Sequence, residues 1–248
     1  MSIKSIFPAS AVDYSGYVAP NNMMRTINEG VGEANYRDGV GFSHLFPTMG
    51  ITWMMGQCVL EYKKFVPCAE EVEVVCGGHE QFGVATVRRC VMYHNGEEAM
   101  HFAAKLLPVY FDARKVVPPQ VLAPIWKTEH DPCGEPIHFI VPPNQMKVLE
   151  EYHVHYRDCD LNKHMTAFRY LDLAMETAGH WGNELRLPKR IQIDYLKECL
   201  PGDVLYLKHA LEDGVHYCSG VKTDGSVSFN ATVCFSEETY PDAKITHV

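Results

Sequence analysis

Hydrophobic and polar positions alternate along most of this chain in short runs that favour β-strands. These runs are rich in Val, Tyr and Phe and carry polar residues at about every second position, the pattern of a strand with one buried face. The strands predicted in the first half are residues 32–37, 59–66, 72–76, 84–93 and 99–109. Those predicted in the second half are residues 151–157, 191–200, 204–211, 215–223 and 227–235.

One longer apolar run in each half predicts a helix, at residues 42–57 and at residues 165–181. In the second run, Phe168, Leu171 and Met175 recur at intervals of three and four residues, so they form one apolar stripe that a sheet must cover. A helix inserted after the first strand of an antiparallel sheet, with the sheet wrapped around it, is the hotdog arrangement. The pattern therefore predicts one hotdog unit in each half.

The sequence also repeats itself, which supports two similar units. The tripeptide Tyr-Arg-Asp at residues 36–38, followed by His44, recurs at residues 156–158, followed by His164 with the same spacing. Two further pairs of landmarks follow in the same order: residues 63–67 with 197–201, and the tight-turn dipeptides Asn95-Gly96 with Asp224-Gly225. Three matching landmarks in one order indicate a duplicated fold.

A proline-rich segment separates the two copies. Residues 108–143 hold eight of the chain's 15 prolines, a composition that breaks helices and central strands. We therefore predict an N-terminal hotdog domain at residues 1–109, a surface linker at residues 110–145 and a C-terminal hotdog domain at residues 146–248. The predicted class is α+β, a tandem (double) hotdog with two antiparallel sheets that each wrap a central helix.

Composition and charge exclude several classes of function. The 248 residues carry a formal net charge of -9 without a clustered excess of Lys and Arg, which argues against nucleic-acid binding. No apolar run approaches the ~20 residues that span a bilayer, so no membrane segment is expected. The nine cysteines include no C-x-x-C pair, so neither a disulfide framework nor a metal site is predicted, and no cofactor is expected. With an N-terminus unlike a signal peptide, these features predict a cytoplasmic protein.

A cluster of polar residues precedes the second predicted helix. Asp160, Asn162 and His164 alternate in this loop, and Glu198 follows at the end of a later predicted strand. Acyl transfer to water needs an activated water and donors for the developing oxyanion, which Asn162 and the backbone N–H groups at the helix start can supply. Either carboxylate can take a proton from water while the other holds and polarises His164. Direct attack by Asp160 on the acyl carbon remains the alternative.

These residues also resemble the motifs of a known family. The Asp-x-Asn-x-His loop at residues 160–164 and the Glu-Cys pair at residues 198–199 are similar to those of the acyl-acyl-carrier-protein (acyl-ACP) thioesterases of plants and bacteria. The resemblance implies hydrolysis of an acyl thioester of acyl carrier protein or of coenzyme A, with the active site in the C-terminal hotdog. The catalytic residues that it implies are Asp160, Asn162, His164 and Glu198.

Two neighbouring residues are candidates for accessory roles. Asp158 stands where related hotdog thioesterases also carry an acidic residue, and we expect its role to be structural. Cys199 could form a nucleophilic trio with His164 and Asn162, but a thiol beside a carboxylate is poorly placed to become a thiolate. The chain departs from the family after His164, where Met-Thr-Ala replaces the frequent x-Asn-Asn.

The internal repeat offers a control on the catalytic residues. At the positions equivalent to Asp160, Asn162 and Glu198, the first half has Val40, Phe42 and Lys64. Only His44 matches the corresponding residue of the second half, His164. We therefore predict that the N-terminal domain is degenerate and non-catalytic. Its role would be to shape an acyl tunnel, with an apolar wall that includes Phe42, Trp53, Met54 and Met55.

Two other classes of function are weighed against hydrolysis. Double-hotdog dehydratases carry His-x-x-x-Gly-x-x-x-x-Pro in the first hotdog, whereas His44 is followed by Thr48 and Trp53 at those positions. A non-enzymatic acyl-binding module would have no use for four polar groups retained in one half alone. The oligomeric state is open between a monomer, in which the fused pair supplies the dimer interface, and a homodimer.

Overall fold

The computed structural model of the chain describes residues 2–13, 15–123, 141–179 and 186–239. The α-helices are α1 (Pro20–Arg37), α2 (Phe42–Met49), α3 (Pro119–Leu122) and α4 (Ala167–Thr177). The strands are β1 (Ser2–Ile6), β2 (Ile51–Tyr62), β3 (Glu71–Phe82), β4 (Ala85–His94), β5 (Glu97–Tyr110), β6 (Lys115–Val116), β7 (Lys147–His153), β8 (Arg186–Tyr195), β9 (Val204–Glu212), β10 (Val215–Lys222) and β11 (Val227–Thr239). Short 3-10 helices lie at Ala9–Ala11, Pro143–Gln145 and Tyr156–Asp158.

The strands form one continuous antiparallel sheet in the order β1-β3-β4-β5-β2-β8-β11-β10-β9-β7, with β6 paired to β5. From one edge the strands run β1-β3-β4-β5-β2, and from the other edge they run β7-β9-β10-β11-β8. The first strand of each half is therefore at an edge and the second is at the centre, so the two halves have one topology. They join where β2 pairs with β8, in a register from Gln57↔Asp194 to Glu61↔Arg190. The predicted α+β double hotdog is confirmed, and the two predicted sheets are halves of a single sheet.

The central helix of the first half is α1, which the hydrophobic pattern did not reveal. Residues 32–37, predicted as the opening strand, lie in α1, and the opening strand is β1 instead. Pro20 at the first turn has the φ angle that a helix start requires. The apolar positions that α1 buries are Met23, Met24, Ile27, Val31 and Ala34. Asn, Glu and Gly between them weaken the pattern, so its helical period was missed.

The helix predicted at residues 42–57 is also wrong, because the segment divides at Gly50. Gly50 adopts a left-handed φ of 64°, and its N–H donates to the Phe46 carbonyl, which ends α2. The chain then continues as β2, which pairs with β5 on one side and β8 on the other. A central strand has little need for polar residues, and such an apolar run cannot be distinguished from a buried helix by periodicity.

In the second half the predicted elements are present with shifted bounds. Helix α4 runs from Ala167 to Thr177, so the predicted bounds of residues 165–181 are too wide at both ends; Ala178 is its C-cap, and residue 181 lies outside the described residues. Strand β8 ends at Tyr195, so Glu198 and Cys199 follow the strand in a loop instead of ending it. The described helices include none that is long and apolar enough to cross a membrane.

The repeat is real, but its first landmark was aligned incorrectly. Residues 36–38 end α1, whereas residues 156–158 form the 3-10 turn before α4, so the two tripeptides hold different places in the fold. The structural counterpart of the loop before α4 is the loop before α1. Each loop is closed by an isolated β-bridge, Val12↔Val18 in the first half and Cys159↔Met165 in the second.

The beginning of the predicted surface linker packs against the first half. Strand β6 pairs with the end of β5, and Val117 and Leu122 are buried against Val40, Leu45 and Ile51. The expectation of a wholly surface linker is therefore wrong for this part, because alternate apolar residues between the prolines suffice to anchor it. Residues 124–140 lie outside the described residues.

Candidate active site

A cavity of about 540 Å³ brings together residues from both halves of the chain. Its lining includes all four predicted catalytic residues: Asp160, Asn162, His164 and Glu198. It also includes the apolar residues predicted for the tunnel wall: Phe42, Trp53, Met54 and Met55. The two separate stretches of the second half thus share one cavity with the first half.

The loop at residues 159–165 is a tight turn that is held by its own backbone and by Asp160. The Asn162 N–H donates to Asp160 Oδ1 at 2.8 Å, and the Lys163 N–H donates to the Asp160 carbonyl at 2.9 Å. The Asp160 N–H donates to the His164 carbonyl at 3.1 Å, and Lys163 takes a left-handed φ of 66°. These bonds fix Asn162 and His164 just before α4, while Asp160 itself is exposed.

The first half builds the same turn with different side chains. The Ser15 N–H donates to Asp13 Oδ1 at 2.8 Å, the Asp13 N–H donates to the Tyr17 carbonyl at 3.0 Å, and Gly16 has a φ of 82°. An aspartate accepts the same backbone hydrogen bond in both halves. The hydrogen bond that Asp160 Oδ1 accepts from the Asn162 N–H is therefore a structural feature of the fold.

The counterparts taken from the sequence repeat, Val40, Phe42 and Lys64, are therefore wrong. The loop bonds match Asp13, Ser15 and Tyr17 to Asp160, Asn162 and His164. The Val18 N–H donates to the Val66 carbonyl as the Met165 N–H does to Cys199, which makes Phe65 the counterpart of Glu198. The amide, the imidazole and the second carboxylate are thus particular to the second half.

His164 is oriented by the backbone rather than by a carboxylate. Its Nδ1 lies 3.2 Å from the Met165 carbonyl oxygen, and since a carbonyl only accepts, Nδ1 carries the proton of this hydrogen bond. The tautomer so fixed leaves a lone pair on Nε2. The expectation that Asp160 or Glu198 holds the ring is not met by this contact, because the adjacent carbonyl already occupies Nδ1.

Three polar atoms of this site are buried without a hydrogen-bond partner among the described residues: Asn162 Oδ1, His164 Nε2 and Glu198 Oε2. Buried polar atoms in folded proteins are nearly always paired, because an unpaired one costs about 1–3 kcal/mol. Three such atoms around one cavity indicate groups that are kept free for a ligand. Each belongs to a residue that the sequence singled out.

Arg114 is a member of the site that the sequence did not reveal. Its Nη2 donates to the Asn162 carbonyl at 3.0 Å, and its Nη1 lies 3.6 Å from Glu198 Oε2. Its guanidinium lies 5.1 Å from the centre of the Phe111 ring, and its backbone has a left-handed φ of 51°. The sequence does not indicate that Arg114 contacts the second half, because the position of its side chain depends on the turn between β5 and β6.

The start of α4 adds backbone donors to the site. Thr166 occupies the N-cap position, but its side chain makes no capping hydrogen bond. The Arg169 N–H donates to the Thr166 carbonyl at 2.9 Å, whereas the N–H groups of the two preceding positions, Ala167 and Phe168, have no carbonyl of the helix before them and lie at the positive end of its dipole. Ala167 and Phe168 in this turn line the cavity, so a developing negative charge would find donors here.

Asp158 lies beside the loop and has the surroundings of a structural carboxylate. It is buried, and its Oδ2 accepts hydrogen bonds from the Tyr152 hydroxyl and the His155 N–H, both at 2.7 Å. Its Oδ1 lies 3.4 Å from Arg169 Nε. With both oxygens engaged, Asp158 holds the 3-10 turn before the loop.

Cys199 is a buried thiol beside the site. Its Sγ lies 3.0 Å from the Ser228 hydroxyl, and burial raises the pKa of the thiol above its ordinary value. A raised pKa disfavours the thiolate that a nucleophilic cysteine needs. These surroundings argue against the trio of Cys199, His164 and Asn162.

The fold and this site define the class of the protein: a double hotdog with a polar, partly unpaired cluster at the start of its second central helix. Residues 142–245 match the family model described as the acyl-ACP thioesterase C-terminal domain. The resemblance to the acyl-ACP thioesterases is thereby confirmed for the residues that the family model matches. The match supports thioester hydrolysis as the general activity.

Solved structures of the same architecture agree over nearly the whole chain. An acyl-ACP thioesterase from Bacteroides thetaiotaomicron superposes with a TM-score of 0.82 at 16% identity, covering 95% of this chain and 97% of that one. The 12:0-ACP thioesterase from Umbellularia californica also gives 0.82, at 13% identity, covering 95% and 96%. At such low identities the likeness establishes the fold alone. Among curated proteins, none matches this sequence.

Proposed function

We propose that the protein hydrolyses acyl thioesters of acyl carrier protein, with coenzyme A thioesters as the alternative substrate, to a free carboxylic acid and the carrier thiol. The observation that carries the proposal is the cluster of Asn162 Oδ1, His164 Nε2 and Glu198 Oε2, three buried atoms that accept no hydrogen bond from the described residues, around a cavity with apolar walls. The family match of residues 142–245 supports the reaction class. An apolar cavity next to polar atoms suits an acyl chain with a reactive carbonyl at one end.

In the proposed reaction Glu198 is the general base. Its carboxylate takes a proton from water as the water oxygen attacks the thioester carbon. The carbonyl oxygen becomes negative and accepts hydrogen bonds from the Asn162 amide and from the first N–H groups of α4. When the carbon–sulfur bond breaks, the thiolate regains a proton, and His164 is placed to relay it through Nε2.

Asp160 has a different part in this proposal. Because Asp160 Oδ1 holds the turn in the way that Asp13 does in the first half, its first role is to present Asn162 and His164. Attack by Asp160 to give a mixed anhydride is the second route. A single turnover in ¹⁸O-water tests the second route, because label in Asp160 requires hydrolysis of an anhydride at the aspartyl carbon, which direct attack of water on the thioester does not produce.

The first half supports the site in this proposal without supplying a reacting group. We propose residues 1–109 as a non-catalytic domain that lines the acyl cavity and residues 146–248 as the catalytic domain. Arg114, in the segment between them, positions Glu198 and the Asn162 backbone. The described cysteines are all free, which accords with a reducing, cytoplasmic location.

The test is hydrolysis of a panel of acyl thioesters on acyl carrier protein and on coenzyme A. Thiol release is followed with a thiol-reactive dye, and the acid is identified by mass spectrometry. We expect turnover by the wild type and its loss in His164→Ala, while an acyl-binding module would show no turnover to lose. Cleavage of no thioester, or water loss from a 3-hydroxyacyl thioester in its place, would refute the proposal.

A further inference from the structure

One face of α1 borders the cavity and is more polar than an acyl chain requires. Asn28, Val31, Gly32 and Asn35 line the cavity, at the spacing i, i+3, i+4 and i+7 that places residues on one side of a helix. At Gly32 no atom lies within 4 Å of the place that a Cβ would take. The helix therefore presents two amides to open space, one on either side of this glycine.

Asn35 is the informative member of this face. It is only 5% exposed, and its Oδ1 is buried without a hydrogen-bond partner among the described residues. Its backbone is fixed, because the Asn35 carbonyl accepts the Val40 N–H at 2.9 Å while the Val40 carbonyl accepts the Trp53 indole N–H at 2.7 Å. The side chain thus holds an unsatisfied amide in a firmly positioned part of the cavity wall.

The surroundings of Asn35 make an unpaired amide costly. The same cavity is lined by apolar residues of β2 and β5, among them Met55, Leu106 and Leu107. A hydrocarbon chain that fills this space excludes water and offers the amide nothing in return. An acyl chain that carries a hydroxyl can donate its O–H to Asn35 Oδ1, which pairs the buried amide oxygen and the hydroxyl together.

We propose that the preferred acyl group carries a hydroxyl substituent along its chain, which donates a hydrogen bond to Asn35 Oδ1, with Asn28 on the same helix face as the second polar contact. This inference rests on the proposed thioesterase function and names the class of acyl chain. A pocket that is built to hydrogen-bond its substrate discriminates against the analogue that lacks the oxygen more strongly than an apolar pocket discriminates by size.

The experiment compares acyl chains of equal length, either unsubstituted or with one hydroxyl group at successive positions, each on coenzyme A and on acyl carrier protein. We expect at least one hydroxylated chain to exceed the plain chain by about tenfold or more in kcat/KM, and the matching oxo chain, which has no proton to donate, to show no such gain. Asn35→Leu, which keeps the side-chain size, should remove this preference and raise kcat/KM for plain chains.

Two more variants keep the test decisive. Asn28→Leu is the second variant, because Asn28 is only half-buried and the substitution leaves the core intact; it should weaken the preference even where Asn35→Leu does not fold. Thr26→Val is the matched control on the same helix, since Thr26 is buried away from the cavity lining, and it should keep the preference.

The possible failures are distinguishable. Equal turnover of plain and hydroxylated chains by the wild type overturns the inference and leaves the thioesterase function in place. A preference that survives in the Asn28 and Asn35 variants overturns it too. If no chain of either kind is cleaved, the proposed function itself has failed.

Discussion

Arg114 offers a sharp test of how the two halves make one site. Its guanidinium donates to the Asn162 carbonyl at 3.0 Å and lies 3.6 Å from Glu198 Oε2, so it joins the two stretches that we propose as catalytic from a position outside them. Arg114→Ala removes both contacts. We expect turnover to fall while the fold and the acyl cavity remain.

The magnitude follows from exposure and geometry. The side chains of Arg114 and Glu198 are 34% and 36% exposed, so the ion pair adds about 1 kcal/mol or less to the free energy of unfolding. Catalysis is more sensitive, because a displacement of about 1 Å in a catalytic group costs on the order of 100-fold in rate. We therefore expect kcat to fall about 10- to 100-fold in Arg114→Ala.

The assay is steady-state thiol release together with thermal unfolding. The value of KM should change less than kcat, because Arg114 is one polar residue of a cavity lining that also includes Val31, Met55 and Leu107. Arg114→Lys should recover part of kcat only, because an ammonium does not reproduce the fork of a guanidinium. Arg157→Ala, at an exposed arginine on the turn before the loop, is the control and should match the wild type. A full kcat in Arg114→Ala, or a loss explained by unfolding, would refute the reasoning.

Two further predictions concern the thiol and the corrected central helix. Cys199→Ala should keep most of the turnover, because burial already raises the thiol pKa and disfavours the thiolate; loss of turnover in a folded variant would restore the nucleophilic trio. Ile27→Ala, at a fully buried position of α1, should lower the free energy of unfolding by about 2–5 kcal/mol, whereas Glu29→Ala on the exposed side should not; equal effects in chemical denaturation would argue against the buried face of α1.

Much of the second half could be predicted from the sequence, because its patterns are local. Helix α4 shows its apolar stripe, and the strands that follow it are separated by recognisable turns such as Asp224-Gly225. The cluster of Asp160, Asn162 and His164 stands out because three polar residues alternate directly before an apolar helix.

The first half was predicted less well because tertiary contacts override local preference there. Helix α1 buries its stripe between polar residues that hide the period, and β2 is a strand because β5 and β8 flank it. The repeat was misaligned because a chance tripeptide match was stronger than the true one. Asp13 and Asp160 each hold a turn of the same kind in their own half, but the residues beside them differ. The equivalence is therefore visible in the hydrogen bonds and not in the residue types.

The site was only partly predictable, for a similar reason. The four candidate residues lie in two stretches that the sequence marks, but Arg114 reaches them from a third stretch whose position depends on the β5–β6 turn. The orientation of His164 by the Met165 carbonyl also depends on backbone geometry. Neither the position of Arg114 nor the orientation of His164 can be predicted from the spacing or the composition of the sequence.

The central claim is that Glu198 acts on water beside His164 and Asn162. The most direct measurement is kcat of Glu198→Gln, which keeps the shape of the side chain and removes its basicity, on an acyl-ACP that the wild type cleaves. We predict a fall of about 10²- to 10⁴-fold with an unchanged unfolding midpoint. A folded Glu198→Gln that retains wild-type turnover would contradict the assignment of Glu198 as the base.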